Sequence, residues 1–160
     1  MNVSPGTGES ITAAGLAELR DEVAELEGKG RSDMAERIKT ARELGDLKEN
    51  ADYHIAKEDQ AHLETRIKRL RQRLRDAEVV EVDARSDTFA FGRTAEVLDG
   101  SNGRVNTWTL VGPTEADLST GRLSAESPVG RALRDSSVGT DVVVETPVGE
   151  KAFRVERLVD

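Results

Sequence analysis

The sequence predicts an α+β protein: an N-terminal antiparallel coiled-coil helical hairpin followed by an antiparallel sheet domain with one short helix. Three observations predict it. Two apolar seams at three-four spacing fill the first half, and turn-punctuated, strand-like runs fill the second. The composition is lean in core formers, with 36% hydrophobic and 3% aromatic residues against 34% charged. That balance is poor for one compact core in 160 residues, and ordinary for a chain with a long, thin helical element that exposes most of its surface.

Residues 1–10 (MNVSPGTGES) carry Gly, Ser, Pro and Thr with almost nothing to bury, and are expected to form a disordered arm. Thr12 stands where a helix N-cap belongs, its hydroxyl oxygen able to accept from an orphan N–H of the first turn. Leu16, Leu19, Val23 and Leu26 then mark a heptad seam. The seam weakens at Gly28-Lys29-Gly30 and resumes one residue out of register with Met34, Ile38, Ala41 and Leu44, so a bend or break is expected there; each glycine costs about 1 kcal/mol inside a helix. A second seam runs through Tyr53, Ala56, Gln60, Leu63, Ile67, Leu70, Leu74 and Ala77 without a slip. Two seams of similar length joined at residues 45–50 make a hairpin over residues 11–78, its tip at that turn, about 45 Å long at 1.5 Å rise per residue.

The texture changes over residues 79–160, which are expected to form the second domain. Strand-like runs Phe89 to Leu98 and Arg104 to Val111 flank Asp99-Gly100-Ser101-Asn102-Gly103, a hairpin signal. Arg122 to Glu126 is a further strand candidate. Ser127-Pro128 reads as an N-cap with proline at the first helical position, opening a short helix to Arg134. Asp141 to Thr146 and Lys151 to Leu158 pair across Pro147-Val148-Gly149-Glu150.

The charge and the absences prune function. With 23 Lys+Arg against 31 Asp+Glu the net charge is −8, which argues against general binding to bare nucleic acid. There is no cysteine for a disulfide, a thiol nucleophile or a Cys-based zinc site. No apolar stretch is long enough to span a bilayer and no leader pattern opens the chain, so no membrane partner and a cytoplasmic location are expected. His54 and His62, eight residues apart on the second helix, do not have the spacing of a metal pair.

The chemistry left over sits at the tip. Gly45-Asp46-Leu47-Lys48-Glu49-Asn50 sets two carboxylates three residues apart at a helix junction. Two readings stay open on the residues alone. Asp46 can N-cap the second helix with Glu49 as a first-turn acid, or the pair can be carried into a cavity to bind a hard cation such as Mg²⁺ whose other ligands come from a partner. Between Arg66 and Arg75 lie six basic residues (Arg66, Lys68, Arg69, Arg71, Arg73 and Arg75) and no acid, either a solvated face or a positive patch for an acidic surface or phosphates. Arg42 and Lys57 fall near each other if the helices pair about the turn, and are candidate nucleic-acid contacts.

These residues resemble a known family. Ala35-Glu36-Arg37-Ile38-Lys39 and Ala41-Arg42-Glu43-Leu44-Gly45-Asp46-Leu47-Lys48-Glu49-Asn50-Ala51-Asp52-Tyr53-His54 look like the tip of the bacterial Gre transcript-cleavage factors. Leu110-Val111-Gly112 with Glu115-Ala116-Asp117, Ser127-Pro128-Val129-Gly130-Arg131-Ala132-Leu133 and Thr146-Pro147-Val148-Gly149 match that family's second domain in order. The resemblance implies a coiled-coil hairpin and an FKBP-like sheet domain. It implies RNA polymerase as partner, with the hairpin inserted in the secondary channel where the nascent RNA 3′ end of a backtracked complex is extruded. It also implies a role for Asp46 and Glu49, which match the family's tip acids: holding a Mg²⁺ shared with the polymerase, with no tightly bound cofactor of their own. Such a factor is not itself an enzyme. It stimulates the polymerase's intrinsic endonucleolytic cleavage. Retention of both acids argues against the family's inhibitory members. The chain departs from the family at Gly28-Lys29-Gly30, where an Arg-Pro step is common, and at Arg134, usually apolar.

A binding-only regulator of the same channel is the competing expectation. A prolyl isomerase, borrowed from the fold alone, is weaker, because fold does not carry function and pocket aromatics are scarce. A homodimeric coiled coil is weakest, since a hairpin satisfies its own seam; the free chain is expected to be a monomer.

Overall fold

The computed structural model describes residues 8–46 and 50–159. Cα packing divides the chain into two compact units: Leu16–Asp76, and the segment up to Gly15 together with the chain from Ala77 on.

The helical unit is built from α1 (Ala13–Glu25), a π-helical turn (Leu26–Gly30), α2 (Arg31–Arg42) and α3 (Ala51–Asp76). The expected break at Gly28–Gly30 does not occur. The helix runs on, with helical backbone angles at Glu25, Gly30 and Arg31. A π turn accommodates one residue more than an α turn would, which is the register slip of the first seam. Met34, Ile38 and Ala41 thereby return to the face set by Leu19 and Val23, and Val23, Ile38 and Ala41 are all buried. The second seam holds throughout: Ala56, Ile67 and Leu70 are buried and its other members half-buried. Leu44, placed last in the first seam, is instead exposed, because α2 has already ended at Arg42.

Ion pairs lace the two arms. Arg31 Nε and Nη2 bind the Glu64 carboxylate at 2.9 and 3.0 Å, Arg37 reaches Asp59 at 2.7 Å, Arg66 reaches Glu22 at 2.5 Å, and Arg71 pairs with Glu27. From Arg31–Glu64 to Arg37–Asp59 the partner number on α3 falls as that on α2 rises, as antiparallel arms require. Glu27 lies within the π turn and Arg31 directly follows it, and their bonds to Arg71 and Glu64 tie that irregular turn to a regular helix.

The second unit holds a five-stranded sheet of order β5-β4-β3-β7-β6, from β3 (Thr94–Asp99), β4 (Arg104–Val111), β5 (Arg122–Ser124), β6 (Asp141–Thr146) and β7 (Gly149–Leu158). The purely antiparallel expectation is corrected. Three pairings are antiparallel, but β4 and β5 run parallel, with Leu110 opposite Leu123. A one-turn 3₁₀ helix at Leu118–Thr120 helps turn the chain between them, and Thr109 N–H donates to the Gly121 carbonyl at 2.7 Å. Helix α4 (Pro128–Leu133) follows, capped by Ser127, whose hydroxyl accepts from Gly130 N–H at 3.1 Å. Its Leu133 joins Phe89, Phe91, Val97, Leu110, Phe153 and Val155 in one buried cluster.

The N-terminal boundary also moves. Residues 1–7 of the expected arm lie outside the described residues, but Ser10 and Ile11 form β1, paired in parallel with β2 (Glu78–Val79). Glu78 N–H donates to the Glu9 carbonyl at 2.9 Å and Val80 N–H to that of Ile11 at 3.0 Å. Ile11, expected at the start of the hairpin, is 1% exposed and supplies the apolar anchor here. Residues 8–15 and 77–78 therefore pack with the sheet unit rather than with the hairpin. Thr12 does cap α1, accepting from Gly15 N–H at 3.0 Å, and its own hydroxyl donates to Glu115 at 2.5 Å.

Candidate functional site: the hairpin tip

Helix α2 stops because Gly45 adopts φ +123°, a conformation that favours glycine and that no helix contains. Asp46 follows directly, outside any helix, and is exposed. Glu49 lies outside the described residues, so its place relative to Asp46 rests on sequence spacing alone. The start of α3 decides one open question. Its first turn is capped by Asn50, whose Oδ1 accepts from Tyr53 N–H at 3.1 Å, while the Asn50 carbonyl accepts from His54 N–H at 3.2 Å. Asp46, four residues earlier, is not the N-cap of α3. Asn50 was within reach of sequence reasoning: Asn, then an acid at Asp52 in the first turn and a periodic run, is a helix-start signature.

Asn50 does more than cap, since its Nδ2 donates to the Ala41 carbonyl in the last turn of α2 at 2.5 Å. The Arg42 guanidinium stands over the Tyr53 ring, 5.8 Å from its centroid, and the Tyr53 and His54 rings meet edge to face at 5.6 Å. Arg42 is exposed beside this ring. Lys57, one helical turn beyond Tyr53, is also exposed and donates to Gln60 at 2.9 Å. Exposed Leu44 and Ile55 line a groove of about 600 Å³ close to the tip, together with Ala41, Thr40 and Asp52.

The basic run divides. Arg66 and Arg71 are committed to Glu22 and Glu27, and Arg75 donates to Gln72 at 2.5 Å. Lys68, Arg69 and Arg75 are exposed along α3 and Arg73 half-exposed. The Arg71 guanidinium, hydrogen-bonded to Glu27, holds that carboxyl below the usual range, and Arg31 does the same to Glu64. His62 stands 3.7 Å from Glu58, an exposed i,i+4 pair. Among the described residues no group of three or more His, Cys, Asp or Glu is placed to hold a metal ion, and no helix is long and apolar enough to cross a membrane.

A turn bearing an exposed carboxylate, closed at the end of an ion-paired helical hairpin and followed by a mixed sheet unit, defines a class that comparison with known proteins makes specific. Residues 9–79 match the family model described as "Transcription elongation factor, N-terminal", and residues 84–158 the one described as "Transcription elongation factor, GreA/GreB, C-term". The chain belongs to the GreA/GreB family of transcription elongation factors. Transcription elongation factor GreA of Anaeromyxobacter sp. strain K is 41% identical over 147 residues, covering 91% of this chain and 89% of that protein. GreA of Rhodospirillum rubrum is 42% identical over 146 residues, covering 91% and 93%. Among solved structures, GreA factor homolog 1 of Thermus thermophilus aligns at 26% identity and a TM-score of 0.41, covering 96% of this chain and 99% of that one. A GreA/GreB factor of Nitrosomonas europaea aligns at 18% identity and a TM-score of 0.41, covering 96% and 99%.

Proposed function

We propose that this elongation factor stimulates transcript cleavage. Its hairpin tip enters the secondary channel of bacterial RNA polymerase and lends Asp46 and Glu49 to the polymerase's own hydrolysis of backtracked RNA. The observation that carries this reading is Asp46, an exposed carboxylate in a turn whose two flanking helices are bonded to each other. Capping, the competing explanation for an acid at this junction, is already supplied by Asn50.

Mg²⁺ demands a near-octahedral shell of oxygens. Two tip carboxylates are too few to form that shell, so in this reading the ion is shared with carboxylates of the polymerase. When bound, such an ion activates water and offsets charge developing at the scissile phosphate. The chain's own part is positional and electrostatic. Asp46 and Glu49 serve as ligands, and the exposed Arg42 and Lys57 meet the backbone of the extruded RNA 3′ end. The exposed cations of the 66–75 run give the acidic chain a local positive footing on its partner.

The test is RNA cleavage in a backtracked complex with Asp46→Asn and Glu49→Gln. Each change keeps shape and removes charge. Each is expected to slow cleavage by about a hundredfold or more, the scale of losing one preorganised charge-stabilising group, with polymerase binding and helix content kept and partial rescue by added Mg²⁺. Full stimulation by the double variant leaves only the binding-only reading. Arg42→Gln or Lys57→Gln should weaken engagement with backtracked complexes more than with active ones; equal losses would assign these residues to protein contacts.

A further inference from the structure

A cap needs only an acceptor, and Ser, Thr or Asp supplies one as well as Asn does. Asn50 uses both halves of its amide: Oδ1 faces Tyr53 N–H, the first turn of α3, and Nδ2 faces the Ala41 carbonyl, the last turn of α2. The amide cannot be turned over, because that would set donor against donor and acceptor against acceptor. Ala41 C=O is among the carbonyls that a helix end leaves without an intrahelical i+4 partner. It also accepts from Leu44 N–H at 3.2 Å, so the same oxygen holds the last residue before Gly45. The Arg42 guanidinium over the Tyr53 ring braces the same two turns from outside.

We propose that Asn50 is a positioning residue for the tip carboxylates. Its amide staples the end of α2 to the start of α3 and so fixes both ends of the segment that carries Asp46 and Glu49 in the sequence. This inference rests on the cleavage-stimulating reading and adds a residue to it. A ligand held on a turn must arrive in the right place without further ordering, and displacement by about 1 Å can cost about a hundredfold in rate. The staple supplies that order before the polymerase is met.

Asn50→Ser separates the two bonds. Serine caps Tyr53 but is too short to reach Ala41, and it adds no charge near the metal ligands. In the free full-length protein, NMR amide exchange is expected to stay slow at Tyr53 and to rise about tenfold or more at Leu44, with unchanged helical circular dichroism. In backtracked complexes the maximal cleavage rate should fall about ten- to a hundredfold, while the factor concentration giving half-maximal cleavage stays put. Asn50→Asp, which also keeps the cap acceptor, should show the same split. Wild-type exchange at Leu44 in Asn50→Ser overturns the staple itself. A wild-type maximal rate in Asn50→Ser, with Asp46→Asn inactive, overturns the positioning role alone. A fully active Asp46→Asn overturns the cleavage reading and takes the positioning role with it, a pattern distinct from the other two.

Discussion

Gly130 shows how tightly single residues set the sheet unit. A Cβ at this position would lie 1.8 Å from the Ser124 carbonyl oxygen and 2.8 Å from its carbon, both backbone atoms that cannot swing aside. The same carbonyl accepts from Ser127 N–H at 3.1 Å and from its hydroxyl at 2.6 Å, so moving it undoes the cap of α4. Gly130→Ala is expected to destabilise the sheet unit by about 3 kcal/mol, the upper end of overpacking costs, read from urea unfolding followed by Trp108 fluorescence. Glu115 is the other residue-scale anchor. Its carboxylate accepts from Thr12 N–H at 3.1 Å and from the Thr12 hydroxyl at 2.5 Å, joining the start of α1 to the loop after β4. Glu115→Ala should lower stability by about 1–2 kcal/mol, the cost of leaving part-buried donors unmet.

At the scale of elements, the π turn is the feature with consequences. Gly30 has helical angles, φ −59° and ψ −49°, and an added Cβ there would meet only ordinary contacts at 3.6 Å and beyond; one at Gly28 would meet nothing. The glycines are therefore not required by space, and Gly28→Ala and Gly30→Ala should each raise hairpin stability by about 0.5–1 kcal/mol in thermal melts followed by circular dichroism. The ion pairs made in and directly after the turn give it a pH dependence. Glu27 and Glu64 have folded-state pKa values held below their ordinary ones by hydrogen bonds from Arg71 and Arg31. Their contribution is full above the ordinary carboxylate pKa and is lost as pH falls through the depressed folded value. Hairpin melting temperature should accordingly fall on acidification from neutral pH to about pH 3, and Glu27→Gln with Glu64→Gln should flatten that fall. Both groups are solvent-exposed, so added salt should also shrink the effect.

For the whole molecule, two separate cores replace one. The buried cluster of the sheet unit draws all its members from Phe89 to Val155, and the hairpin buries its own seam of Leu19, Val23, Ile38, Ala41, Ala56, Ile67 and Leu70. A fragment of residues 77–160 is expected to keep β-sheet circular dichroism and Trp108 fluorescence near those of the full chain, but to unfold at lower denaturant because Ile11 and β1 are missing. A fragment without cooperative unfolding would show that the sheet unit needs the preceding chain. Isolated full-length protein should bind Mg²⁺ weakly, since two tip carboxylates cannot replace the ion's hydration shell; a tight stoichiometric site by calorimetry would overturn the shared-ion picture.

What the sequence determined by itself is whatever short-range periodicity and turn chemistry encode. The two seams up to Ala41 and through α3, the one-residue slip between Leu26 and Met34, the Thr12 and Ser127 caps, the two hairpins and the position of the tip were legible, because each depends on neighbours within a few residues. The second hairpin turn is shorter than expected, Pro147-Val148, with Gly149 and Glu150 already in β7. Tertiary structure alone decided what depends on distant partners. The slip resolved as a π turn rather than a break, which returns Ile38 and Ala41 to the buried face set by Leu19 and Val23. The β4–β5 pair became parallel because the chain between them crosses over before pairing, a choice no period-two pattern records. Ser10 left the expected arm because its backbone partners lie at residues 78–80, with Ile11 buried beside them. At the tip, sequence supplied the acids and the asparagine but not the division of labour between Asp46 and Asn50. That division required the Ala41 carbonyl, nine residues back along the chain, to lie one hydrogen bond from the Asn50 amide.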